Sequence, residues 1–335
     1  MKRTIVVITL LVSMLSTLQA QDVKPFLGRW GLYLPGGAGW LEVRQEEGYL
    51  DADILWYGGS VVPVDYVYMD GDQLIVTRIR EMVRERDEDK NPTRTQYRTE
   101  LLKFSRYDEI LGGMRIQPEG NGIGVNTTKF VAKKIPPLPP APNLNEIQYG
   151  EPIKLFNGKD LSGWKLVNPD RTNGFKAEDG VLVNKPVQKE GEPRIHYGNL
   201  RTVKEFEDFN LQIDVKVPER SNSGIYLRGI YEVQVADTYG RKRDSHNMGA
   251  IYSRITPSVS AEKPAGEWQH FDITLCDRHV TVVLNGTEII DNKPLYGVTG
   301  GALTADQLSP GPIYLQGDHG KIYYRNIILK PVIEK

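Results

Sequence analysis

Four polar side chains interrupt an alternating apolar pattern in the stretch NSGIYLRGIYEVQVADTYG, residues 222–240. Tyr226 and Arg228 precede a glycine turn, and Glu232 and Gln234 follow it. Alternate side chains of a strand share a face, so each pair points away from its apolar neighbours. If the two strands flank a tight turn, all four side chains line one face. A carboxylate beside a phenol, a guanidinium and an amide can bind a polar ligand and transfer a proton.

Histidine supplies further candidates. The stretch LQGDHG, residues 315–320, places His319 after an aspartate at the end of a predicted strand. There His319 could donate a proton, ligate a metal or fill a turn, because imidazole titrates nearest neutrality. His246 lies in a predicted loop with Tyr252 and Arg254, and we expect this loop to border the same site.

Asn222, which begins the first stretch, and Gln316, which belongs to the second, are added as expected substrate-binding residues. Asp237, at the end of the first stretch, is a second acid–base candidate. Asp237 could equally support a turn, because aspartate often accepts hydrogen bonds from nearby backbone.

The second half of the chain is predicted to consist of strands. The run DFNLQIDVKV, residues 208–217, alternates apolar and polar residues, and Asn285-Gly286 is typical of a type I′ hairpin. Similar runs continue to the end of the chain, and no helical periodicity of convincing length occurs. This density of strands predicts a β-sandwich or jelly roll.

The first half has a different organisation. Residues 21–133 contain short alternating runs separated by glycine or Asp-Gly, which predict a small antiparallel β-barrel. The sequence GRW at residues 28–30 is similar to the opening strand of lipocalin-like barrels. Residues 134–150 form a proline-rich linker, which favours a semi-rigid path. Residues 151–335 form the predicted jelly-roll domain.

The first twenty residues, 1–20, have a basic start, an apolar run and a small final residue, and they predict a secretory signal peptide. A retained N-terminal anchor is the alternative. We therefore expect an exported protein, periplasmic or extracellular, with no membrane insertion after cleavage. Cys276 is the only cysteine, so an intrachain disulfide is excluded. The formal net charge of −1 gives no indication of nucleic acid as a partner.

Five motifs along the second half resemble those of the 3-keto-disaccharide hydrolase family. They are FNGKDLSGW, SNSGIYLRGIYEVQVAD, KPAGEWQHFDITL, VTVVLNGTEIIDN and GPIYLQGDHGKIYYRNIIL, and they occur in the family's order between residues 156 and 329. The resemblance covers residues from about 151 to the end of the chain. It implies a concanavalin A-like jelly roll that acts on an oligosaccharide or glycoside. The sugar's C3 hydroxyl would first be oxidised to a ketone by a partner sugar 3-oxidoreductase.

That substrate implies a particular chemistry. A C3 ketone acidifies the proton on C2, so a base can remove it and the enolate can expel the group on C1. Glu232 is then the expected base, Arg228 would stabilise the enolate oxygen or hold a hydroxyl, and Gln234 would orient the sugar. A structural ion pair between Glu232 and Arg228 is the alternative interpretation. His319 or Asp237 would supply the acid for the leaving group.

Two further questions stay open in the sequence. The sequence indicates no required cofactor. It leaves open a site for a divalent metal such as calcium or manganese, with ligands from distant loops. A non-catalytic carbohydrate-binding jelly roll is the alternative function, because a fold does not fix an activity. A third possibility makes the first barrel the functional half.

Overall fold

The computed structural model describes residues 22–335, so the predicted signal peptide, residues 1–20, lies outside the described residues. Within the described part, the regular elements are strands and one short 3₁₀ helix at Lys24–Phe26. The prediction of an all-β protein is confirmed. Between residues 22 and 335 no helix is long and apolar enough to cross a membrane.

The first half forms one nine-stranded antiparallel sheet. Its strands are β1 (Gly28–Leu34), β2 (Gly37–Gln45), β3 (Leu50–Trp56), β4 (Val62–Pro63), β5 (Tyr66–Asp70), β6 (Gln73–Arg86), β7 (Pro92–Tyr107), β8 (Ile110–Pro118) and β9 (Val125–Lys134). Their order in the sheet is β4-β3-β2-β1-β9-β8-β7-β6-β5. The sheet curls so that β3 comes beside β5, and alternate side chains, among them Leu41, Ile54 and Phe104, form a separate apolar core inside it.

Strands β6 and β7 continue past the rest of this sheet as a long hairpin. The charged residues 80–98 lie on it, and nearly all of them are exposed. The charges of this segment are therefore solvated along the hairpin.

The second half contains fourteen strands. They are β10 (Gln148–Tyr149), β11 (Ile153–Lys154), β12 (Trp164–Leu166), β13 (Phe175–Glu178), β14 (Val181–Asn184), β15 (Leu200–Thr202), β16 (Phe209–Lys216), β17 (Asn222–Leu227), β18 (Tyr231–Ala236), β19 (Trp268–Cys276), β20 (His279–Leu284), β21 (Thr287–Pro294), β22 (Tyr314–Leu315) and β23 (Ile322–Glu334). One sheet has the order β13-β14-β23-β16-β19-β20-β21, with β10 and β11 paired to β23. The other has the order β12-β15-β22-β17-β18.

These two sheets pack face to face around one core. The inner face of β16 contributes Phe209, Leu211 and Ile213, all with no exposed surface, and the inner face of β18 contributes Val233 and Val235. This sandwich confirms the predicted jelly-roll class.

The two halves share part of their packing. Trp40 of β2 is 3% exposed and belongs to the apolar core of the second half. Its indole N–H donates to the Tyr296 carbonyl at 3.0 Å, and the Arg254 guanidinium lies over its ring at 4.5 Å. The proline-rich segment is also held, because Arg278 donates to the Pro136 carbonyl at 3.1 Å.

Candidate active site

Strands β17 and β18 bring the predicted residues together on the outer face of the five-stranded sheet. In their antiparallel register Tyr226 lies opposite Glu232, and Gly224 lies opposite Gln234. The alternate residues, such as Ile225, pack into the core on the other face. The two-residue period thus places Tyr226, Glu232 and Gln234 as the sequence predicted.

Two loops hydrogen-bond to the backbone of the edge strand β18 beside this site. The Tyr252 N–H donates to the Glu232 carbonyl at 3.0 Å, and the Glu232 N–H donates to the Thr299 hydroxyl at 2.8 Å. The Glu232 side chain is buried, and the residue is only 4% exposed. The sequence predicted the face of Glu232 but not its burial.

Burial dominates the chemistry of the Glu232 carboxyl group. Removal from water disfavours the charged form and raises the pKa of Glu232 to about 8, while the Tyr226 hydrogen bond and the charge of His319 oppose this shift. The glycine at 224 leaves room for the group, because a Cβ there would lie 2.3 Å from Glu232 Oε1. At neutral pH most Glu232 side chains carry a proton.

The contacts of Tyr226 agree with a protonated Glu232. The Tyr226 hydroxyl lies 2.9 Å from Glu232 Oε2 and 2.7 Å from the Gly300 carbonyl oxygen. A phenol has one proton, so it cannot donate to a carboxylate and a carbonyl at once. If Tyr226 donates to Gly300, a protonated Glu232 can donate to Tyr226 and all three groups are satisfied.

Asp318 and His319 form the more accessible part of the site. Asp318 Oδ1 lies 2.7 Å from His319 Nδ1, and the two side chains are 45% and 47% exposed. This hydrogen bond raises the pKa of His319 above its usual value. The charges of both residues also act on Glu232, so the carboxyl group and the imidazole belong to one electrostatic cluster.

The structure adds Tyr314 and Asn199 to the predicted residues. The Tyr314 ring stacks on the Tyr226 ring with centroids 4.1 Å apart, and the Asn199 amide donates to the Tyr314 hydroxyl at 2.8 Å. Alternation in the stretch GPIYLQG places Tyr314 on the same face as Gln316, so sequence periodicity could have found Tyr314. No local pattern marks Asn199.

Two adjoining cavities open beside this cluster. The first, here called the polar cleft, has a volume of about 290 Å³ and is lined by residues that include Arg194, His196, Asn199 and Asp318. The second, here called the junction cavity, has a volume of about 490 Å³ and is lined by residues from both halves, including Tyr314. Val167 and Asn199 line both cavities, so a ligand with two units could span them.

Arg228 does not take the predicted position. Strand β17 ends at Leu227, and Arg228 lies in the turn with a φ of 53°. Its guanidinium donates to the Ser309 carbonyl, with Nε at 3.1 Å, instead of facing Glu232. The expectation of one face shared by Arg228 and Glu232 is therefore wrong, and so is the alternative of an ion pair between them.

The three predicted amide side chains differ in their hydrogen-bond partners. Gln234 is 5% exposed and its side-chain oxygen accepts from the Val235 N–H at 3.2 Å. Asn222 Oδ1 and Gln316 Oε1 are buried, and neither accepts a hydrogen bond from the described residues. The Gln316 N–H donates to the Gly224 carbonyl at 3.0 Å, which ties the loop of His319 to strand β17.

Asp237 lies apart from this cluster. It follows the last residue of β18, and its carboxylate accepts from the Arg220 N–H at 2.9 Å. Asp237 thus supports a turn, as one of the two sequence interpretations proposed, although the turn is the one before β17. The Asp237 carboxylate makes no hydrogen bond with Glu232 or His319, so no contact supports its predicted catalytic role.

His246, Tyr252 and Arg254 lie where the two halves meet. His246 Nε2 is 2.9 Å from the Ser60 hydroxyl, and its ring meets the Tyr252 ring edge-on at 4.9 Å. Arg254 donates to the Val298 carbonyl at 2.8 Å. None of these three described residues lines the polar cleft or the junction cavity.

One group of possible metal ligands occurs among residues 22–335, and it lies outside the predicted site. It consists of Asp208, Cys276 and Asp277. Lys335 already pairs with both carboxylates, and burial raises the pKa of the Cys276 thiol to about 12. None of the residues predicted to act on substrate belongs to this group.

A family model matches the second half of the chain. The matching residues are 151–330, and the model describes a 3-keto-alpha-glucoside-1,2-lyase-like domain. The match covers more than half of the 335 residues. No curated protein matches the chain.

Solved structures from Parabacteroides distasonis are similar to the chain, and each is described as a candidate glycosyl hydrolase. One is 30% identical, covers 60% of this chain and 94% of its own length, and has a TM-score of 0.45. Another is 26% identical, covers 55% of this chain and 100% of its own length, and has a TM-score of 0.41. Neither covers the whole of this chain.

Proposed function

Because the chain belongs to the 3-keto-alpha-glucoside-1,2-lyase-like domain family over residues 151–330, we propose that it is an exported enzyme that cleaves the glycosidic bond of 3-keto-glycosides. Membership supports a carbohydrate-active protein. The observation that carries the proposed reaction is the burial of the Glu232 carboxyl group, which raises its pKa to about 8.

The proposed reaction begins at C2 of the oxidised sugar. A base takes the C2 proton, and the electron pair of the C–H bond forms an enolate with the C3 carbonyl. The enolate then re-forms the ketone as the C1–O bond breaks, and the leaving oxygen takes a proton from an acid. Addition of water across the resulting enone gives net hydrolysis.

Glu232 and His319 are suited to these two proton transfers. A carboxylate whose pKa is about 8 is a far stronger base than an ordinary one. The hydrogen bond that the His319 imidazole donates to Asp318 keeps it protonated to higher pH, so it can act as the acid. Burial of Glu232 and the carboxylate partner of His319 thus shift both pKa values, and such shifts are common at acid–base sites.

The polar cleft is the proposed site of the oxidised ring. It lies beside Asp318, and His196, Arg194 and Asn199 can contact hydroxyl groups there. The substrate would come from a sugar 3-oxidoreductase, because that class of enzyme creates the required ketone. Export remains a proposal from residues 1–20.

The proposal predicts selective cleavage of oxidised sugars. The purified protein is incubated with a 3-keto-disaccharide and, separately, with its unoxidised parent, while free reducing sugar and enone absorbance are followed. We expect the oxidised sugar to be cleaved and the parent to remain intact, because only the ketone acidifies C2. Binding of the oxidised sugar without cleavage would instead support the non-catalytic carbohydrate-binding alternative.

A further inference from the structure

The nine-stranded sheet of the first half reaches the candidate active site through the loop after β3. The Gly301 N–H donates to the Tyr57 carbonyl at 2.9 Å. A Cβ at Gly300 would lie 2.3 Å from the Gly59 carbonyl oxygen, so the two backbones are in close contact. Gly300 also accepts from Tyr226, which contacts Glu232. The loop of the first half therefore contacts Gly300, whose carbonyl bonds the same Tyr226 hydroxyl that bonds the proposed base Glu232.

The same loop lines the junction cavity with Tyr57 and Gly58. Gly36 and Gly37, at the turn between β1 and β2, line it as well, together with Arg201, Leu303 and Tyr314 of the second half. The volume of about 490 Å³ is within the range of small-molecule sites. The lining combines apolar groups with groups that can hydrogen-bond, which is a composition that suits a sugar ring.

Tyr57 is held in a fixed orientation at this wall. Its φ is 63°, a left-handed conformation that is rare for an aromatic residue. Its hydroxyl donates to the Pro35 carbonyl, and a Cβ at Gly37 would lie only 2.8 Å from its ring. The Trp56 ring packs edge-on against it at 5.8 Å. Backbone strain of this kind persists where the surroundings enforce it, and it often occurs at ligand sites.

The junction cavity adjoins the polar cleft. Val167 and Asn199 line both, and Tyr314, which lines the junction cavity, stacks on Tyr226. A disaccharide with its oxidised ring beside Asp318 would therefore extend its second ring toward Tyr57.

We propose that the first half completes the active site, with the junction cavity as the leaving-group subsite and the Tyr57 ring as the platform for the second sugar ring. Arg201 and Asn199 would donate hydrogen bonds to the hydroxyl groups of that ring. This inference rests on the proposed function for the identity of the oxidised ring. The family match begins at residue 151, so Tyr57 and the other residues that the first half contributes to this subsite lie outside that match.

Two variants of Tyr57 test the subsite. Tyr57→Ala removes the ring, and Tyr57→Gly removes it while suiting the positive φ, which glycine adopts without strain. Tyr97→Ala is the matched control, because Tyr97 is a 72% exposed tyrosine on the same sheet and lines neither cavity. We expect both Tyr57 variants to lower kcat/KM for a 3-keto-disaccharide about tenfold. Turnover of the methyl 3-keto-glucoside should stay close to wild type.

An equal loss on both substrates, or no loss on either, would overturn the subsite. Should the wild type cleave neither substrate, the proposed function fails and calorimetric binding of the unoxidised disaccharide and of glucose decides the inference alone. Weaker binding of only the disaccharide by Tyr57→Gly then supports the subsite. Equal disaccharide affinities for wild type and Tyr57→Gly contradict it.

Discussion

Replacing Glu232 with glutamine lowers kcat/KM for a 3-keto-glycoside by about 10²- to 10⁴-fold, the usual contribution of a general base. Glutamine has the same shape, fits over Gly224 and can still bond the Tyr226 hydroxyl, so the loss reports the proton transfer rather than packing. The wild-type rate should rise with pH toward the Glu232 pKa of about 8, and the variant should lack this rise. Steady-state kinetics between pH 5 and 9 measure both effects.

Asp237→Asn is the control for this experiment. Asp237 was the second acid–base candidate in the sequence, but its carboxylate accepts from the Arg220 N–H. We expect Asp237→Asn to retain the wild-type rate and its pH dependence. A Glu232→Gln variant as active as wild type, or an Asp237→Asn variant as inactive as Glu232→Gln, would reject the assignment of the base.

The same Glu232→Gln change should stabilise the protein increasingly as pH rises above the usual carboxyl pKa of 4.5. The folded-state pKa of Glu232 is raised from 4.5 to about 8, so between these values the folded chain binds a proton that the unfolded chain releases. The free energy of unfolding therefore falls as pH rises through this window. At pH 8 and above, the buried carboxylate costs roughly 3 to 5 kcal/mol relative to a neutral group.

Thermal unfolding of wild type and Glu232→Gln at pH 4, 6 and 8 measures this effect. We expect similar melting temperatures at pH 4, where the carboxyl group is protonated in both states, and a growing advantage of the variant at pH 6 and 8. Glu288→Gln, at an exposed position of β21, should follow wild type throughout. A constant difference between wild type and Glu232→Gln at all three pH values would contradict a raised folded-state pKa.

These two predictions describe opposite consequences of one buried group. A carboxyl group away from water gains basicity for the reaction and lowers the stability of the fold at the pH where it is ionised. Proteins often retain such groups only where an activity needs them. The combination of lost activity and gained stability would distinguish a catalytic role of Glu232 from a purely structural one.

Strand periodicity in the sequence predicted much of the cluster but not its limits. Alternation placed Tyr226, Glu232 and Gln234 on one face, because a strand repeats every two residues. The prediction for Arg228 was wrong because the strand ends at Leu227 and the Arg228 guanidinium donates to the Ser309 carbonyl. Periodicity cannot tell where a strand stops or whether a loop covers its outer face.

The junction between the halves depends on contacts between distant parts of the chain. Trp40 bonds Tyr296, and Tyr57 bonds Gly301, and neither segment carries a local pattern that reveals its partner. His246 and Arg254 were expected to border the sugar site because their side-chain types suit binding. In the structure they lie instead where β2 and the loop after β3 meet the second half.

A C2-deuterated 3-keto-disaccharide tests most directly whether this protein breaks the C2–H bond. Removal of that proton by Glu232 predicts a primary isotope effect on kcat/KM for the wild type, measured beside the unlabelled substrate under the same conditions. The unoxidised parent should remain uncleaved in the same assay. Cleavage of both sugars at comparable rates with no isotope effect would contradict the account and indicate an ordinary oxocarbenium hydrolysis.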